Sequence, residues 1–129
     1  TEMSRDVFLE HVRKIRPTQT RTLVPSDPDL VRNLRISGLL YEHLMKDPSG
    51  DGAQEILYDL ALFERQLAKL YWYSPYQSYL RECVLKFPKK PLSKSCFEMY
   101  ESEVTEQFAG RSALPEDVRS SLEALRRTL

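Results

Sequence analysis

From Ile56 to Leu70 the apolar residues Ile56, Leu60, Phe63, Leu67 and Leu70 return at alternating spacings of four and three. A helix turns about 100° per residue, so these side chains share one face and predict a core helix over residues 53–73. Similar spacings predict five more helices. Phe8, Val12 and Ile15 line one over 5–15, and Leu30, Leu34, Tyr41, Leu44 and Met45 are the expected inner face of one over 28–46. Gly38 interrupts that helix and suggests a close helix crossing. Tyr76, Leu80, Cys83, Val84 and Phe87 mark a helix over 75–87. Phe97, Val104 and Phe108 mark one over 95–109, and Val118, Leu122 and Leu125 mark one over 115–128.

The polar residues set the boundaries. All eight prolines fall between the periodic stretches or in the first turn of one, where a residue lacking an N–H is tolerated. Ser4 and Asp27 stand as N-caps, while Ser74–Gln77 and Ser95–Glu98 read as capping boxes. Gly110 is the expected stop of the fifth helix, and Thr22-Leu23-Val24 is expected to dock as an extended piece of the long connection 16–26. Strand signals are nearly absent and no internal repeat emerges. The fold class expected is all-α, a single bundle of about six helices over 1–129.

Composition adds limits. With 129 residues, 41% hydrophobic and 29% charged, the chain suits one globular domain with a core and does not suit disorder. No apolar run approaches the roughly 20 residues of a membrane span, and residues 1–4 carry no signal-peptide pattern. Thr1 fits a processed product or a piece of a longer protein. Cys83 and Cys96, both within apolar helical patterns, are expected to be reduced core thiols, which points to cytoplasm or nucleus. The 19 basic and 19 acidic residues cancel, but a basic stretch at 81–94 precedes an acidic one at 98–106. Such blocks suggest helices that pair, or a dipolar surface.

Little points to catalysis. His11 and His43 lie at helix-face edges without a neighbouring motif, and only four glycines leave no nucleotide-binding loop. Asp47, Ser49, Asp51 and Gly52 follow the start of a calcium loop, but Tyr58 stands where the bidentate glutamate is needed. No cofactor, no metal and no enzymatic activity are expected.

The feature that suggests binding is the segment 71–79, with five aromatics in nine residues. Trp72 projects almost opposite the core stripe, on the side of Tyr58 and Arg65. It lies either under a second layer of helices or on an exposed surface. The expected partner surface comprises Tyr58, Arg65, Trp72, Tyr73 and Tyr79 with the basic Lys86, Lys89 and Lys90. The function expected is a non-enzymatic adaptor or scaffold domain binding a protein segment, with a nucleic-acid-associated domain using residues 81–94 as the alternative.

Overall fold

Ser4 starts the first helix as expected: its Oγ accepts the amide of Val7 at 3.3 Å. The computed structural model describes residues 4–19, 22–68 and 76–129. In it, α1 (Arg5–Ile15) tightens at Pro17 into a 3-10 turn, Arg16–Thr18. Then follow α2 (Leu30–Lys46), α3 (Ala53–Leu67), α4 (Tyr76–Leu85), α5 (Ser93–Gln107) and α6 (Glu116–Arg126). The architecture is all-helical, with no strand among the described residues.

Helix α3 is the axle. Ile56, Leu60, Phe63 and Leu67 are fully buried, and Ala61 on the opposite side is buried too. α2 and α4 both pack against α3, so its back is covered by a second layer. Its polar residues tie the neighbours down. Arg16 donates to both carboxylate oxygens of Asp59 at 2.6 and 2.9 Å, and to Glu55 at 2.5 Å. Arg13 holds Glu55 from the other side at 2.6 and 2.7 Å. These pairs fasten α1 to α3, since a buried carboxylate requires a partner.

A second node carries the connection before α2. Of the segment expected to dock, Leu23 is buried, its amide donating to the Gln66 carbonyl at 3.0 Å, while Thr22 and Val24 are exposed. Nearby, Asn33 donates to the side-chain oxygens of Gln19 at 2.8 Å and Gln66 at 3.0 Å. Asp27 accepts from the Asp29 amide at 2.9 Å, so the chain turns once more and α2 begins at Leu30 instead of Pro28.

The face of α2 is the first correction. Ile36, Leu40 and Leu44 point inward with Asn33 and Ser37, while Leu34, Tyr41 and Met45 of the expected inner face are exposed. The polar members are the reason: Asn33 meets Gln19 and Gln66, and Ser37 donates to Glu64 at 2.5 Å. Gly38 makes no close crossing among the described residues, since a Cβ added there would meet nothing within 4 Å.

The second correction concerns the cysteines. Cys83 of α4 and Cys96 of α5 form a disulfide, with Cα atoms 6.2 Å apart. The short link between the helices brings them together. Gln54 of α3 donates to the Cys83 and Phe87 carbonyls and to Ser93 Oγ, while accepting from the Leu92 amide. Ser93 Oγ also donates to Phe87 O at 2.6 Å and accepts the Lys90 amide at 3.0 Å. Because Ser93 is occupied there, α5 begins at it, and Ser95–Glu98 is not a capping box. The box at Ser74–Gln77 reaches outside the described residues.

α6 closes the bundle on α5 through the expected Leu122 and Leu125, with Arg126 over the Phe97 ring at 5.3 Å and paired with Glu101. Gly110, at φ 91°, ends the turn after α5. No helix among the described residues is long and apolar enough to cross a membrane.

Candidate functional site

The expected aromatic and basic surface does not come together as one exposed patch among the described residues. Tyr58 is half-buried against the core, with the Arg16 guanidinium 5.7 Å from its ring centre. Arg65 pairs with Glu103 of α5 at 3.1 Å, and Glu103 also accepts from the Tyr76 hydroxyl at 3.1 Å. Tyr79 packs against the core as well. Lys86 is exposed beside Glu82, 3.7 Å away, and Lys89 and Lys90 are exposed on the α4–α5 link. Trp72 and Tyr73 lie outside the described residues. The acidic stretch pairs with Arg65 and Arg126 on other helices, while Lys94 reaches only Glu98 of its own helix.

The two α3 carboxylates differ in cover, Glu55 being only partly buried. Asp59 has no exposure, and burial pushes its carboxyl up to about 6 despite the Arg16 fork. Glu55 moves the other way, held below the ordinary range by Arg13 above all, and by Arg16. Arg13 and Arg16 engage these oxygens directly, so the cluster acts as an internal clamp. At the calcium-like turn, Asp47 accepts the Gly50 amide at 3.0 Å and pairs with Arg5 at 3.6 Å, while Gly52 takes φ 85°. That carboxylate shapes the turn.

The surface with open apolar area lies on the outer side of α2. With Leu34 as zero, Leu34, Gly38, Tyr41 and Met45 fall within about 40° of one line, and Val31 lies near 60°. Val31 is 67% exposed, Met45 53%, Tyr41 48% and Leu34 39%. α2 thus carries two apolar stripes about 140° apart, and the fold consumes only one.

Beside this outer stripe a groove of about 440 Å³ separates α1 from α2. Phe8, Ile36, Val31 and Leu39 give it an apolar lining, and His43 stacks on Phe8 with ring centres 5.2 Å apart. Its rim carries Arg32, Arg35 and Lys46 against the single carboxylate Glu42, with His11 alongside from α1. Arg32 has Asp29 at 3.7 Å. An apolar lining with a mainly cationic rim suits a ligand that presents apolar side chains flanked by negative charge.

Sequence reasoning placed both histidines on rims but did not join them. The usable signal was the second stripe, Ile36, Leu40 and Leu44, which competes with Leu34, Tyr41 and Met45 for the core. Compared with known protein families, curated proteins and solved structures, the chain matches none.

Proposed function

We propose that the chain is a non-enzymatic interaction module that holds a segment of a partner protein in the groove between α1 and α2. The observation that carries this reading is the apolar lining of that groove beneath Arg32, Arg35 and Lys46. A helical segment would seat side chains at i, i+3 and i+4 on Phe8, Ile36 and Leu39 and set carboxylates against the rim. The polar clusters inside the fold support the non-catalytic part, because their donors and acceptors already satisfy one another.

The groove replaces the aromatic and basic surface as the favoured docking site, since Tyr58, Arg65 and Tyr79 already have work within the fold. The expectation of cytoplasm or nucleus rested on reduced thiols. The Cys83–Cys96 bond removes that ground and favours an oxidising compartment.

Selection from a random peptide library displayed on phage tests the reading. The enriched sequences should combine apolar residues at helical spacing with Asp or Glu, and should lose binding to Leu39→Glu while that variant's stability changes by less than about 1 kcal/mol. Enriched basic sequences, or binding indifferent to Leu39→Glu, would contradict it. Oligonucleotide retention that weakens steeply with salt would favour the nucleic-acid alternative.

A further inference from the structure

Apart from Val31, which also lines the groove, the outer stripe of α2 stands clear of it. Val31, Leu34, Gly38, Tyr41 and Met45 follow spacings of three and four throughout, the a and d positions of a heptad repeat. Such a seam normally meets another helix, yet here all five positions are exposed. Gly38 interrupts the helix at a cost, and among the described residues nothing lies within 4 Å of where a Cβ would stand. A notch at the centre of an outward seam provides room for a side chain from outside.

We propose that α2 pairs antiparallel with α2 of a second copy of this chain. The identity of the occupant follows from the seam's self-complementarity. A two-fold axis midway between Gly38 and Tyr41 sets a positions against d positions. Gly38 then faces the second copy's Tyr41, so the ring enters the notch, and Leu34 faces the second copy's Met45. Along one flank Arg35 comes beside the second copy's Glu42, and by symmetry Glu42 comes beside the second copy's Arg35. Within the chain, neither residue has an ion-pair partner among the described residues. A parallel pair would set Gly38 on Gly38 and Tyr41 on Tyr41, leaving a gap beside a clash. It would also leave the Arg35–Glu42 match unused. The α1–α2 grooves of the two copies come out on the same side of the pair, flanking the Arg35–Glu42 contacts. Arg35 and Glu42 also stand on the groove rims, so the pairing is tested without a groove ligand.

The paired stretch, Leu34 to Met45, is only about 17 Å long at 1.5 Å per residue, which makes a small interface and a concentration-dependent dimer. Sedimentation equilibrium of the full chain from roughly 10 μM to roughly 1 mM should therefore show the mass rising from one chain toward two. Arg35→Glu and Glu42→Arg, each alone, put like charges together twice and should weaken association at least about tenfold. An equimolar mixture of those two variants restores both opposite-charge contacts and should form a dimer with one chain of each.

Gly38→Leu separates folding from pairing, because a Cβ at this exposed position meets nothing within 4 Å among the described residues. It should raise the melting temperature of the dilute protein and abolish the dimer. The proposal is overturned if the wild type keeps a one-chain mass throughout. It is also overturned if the single charge reversals leave association intact, or if their mixture stays monomeric with normal helix content.

Discussion

Asp59 shows how one residue's chemistry depends on the residues that cover it. Its carboxyl has no exposure, so burial favours the neutral form and lifts its pKa from the ordinary 3.8 to about 6. Between those values the folded chain binds a proton that the unfolded chain has released. Stability therefore declines as the pH rises through this window and levels off above it, by roughly 3 kcal/mol at most. Glu55 has the opposite sign and overlaps only the acid end of the window, since its lowered pKa gives stability that is lost as the pH falls through its ordinary 4.5. Thermal melts from about pH 4.5 to 7 should show the wild-type melting temperature falling relative to that of Asp59→Asn. Parallel curves for the two proteins would mean that Asp59 is ionised throughout. None of this was legible in the sequence. Asp59 sits one position before Leu60 in an apolar stretch, and only the fold brings Arg16, distant in sequence, onto it.

At the scale of elements, the sequence was a good guide to where helices lie and a poorer one to how they turn. The α3 stripe was unambiguous because no other set of positions on that helix repeats as cleanly, and its residues from Ile56 to Leu67 are all buried. α2 was ambiguous because it carries two stripes. Periodicity alone favoured the one without Asn33 and Ser37, and the polar partners that make the other acceptable come from elsewhere in the chain. The cysteines were misread for the same reason. Thirteen positions apart, each reads as a core residue of its own helix. Their meeting depends on the link that Gln54 and Ser93 hold. Cross-linking a loop of that length is worth about 3 kcal/mol. Replacing both cysteines by alanine should lower the unfolding free energy by about that amount, measured by urea titration, with helix content retained. A change below about 0.5 kcal/mol would mean that the bond does not constrain the chain in solution.

Considered whole, the molecule spends its interior polar groups on joining helices and leaves its spare apolar area on the outside of α2. The interior clusters connect α1, the Leu23 segment and the α4–α5 link to the same axle, α3. That arrangement leaves α2 with one side in the core and the other toward solvent, beside a cation-rimmed groove. The site expected from sequence drew on aromatic density and lysines, which lie elsewhere: Tyr58 and Tyr79 against the core, Lys89 and Lys90 on the α4–α5 link. The groove needed α1 and α2 side by side, which no local pattern specifies. The two surfaces give different maps for the same ligand, so one experiment separates them. A ¹⁵N-labelled chain titrated with an amphipathic peptide carrying a glutamate-flanked leucine face should show amide shifts concentrated at His11, Val31, Arg35, Leu39 and His43. Shifts centred on Lys86 to Lys90 instead, or no shifts at any peptide concentration, would contradict a docking site on α2.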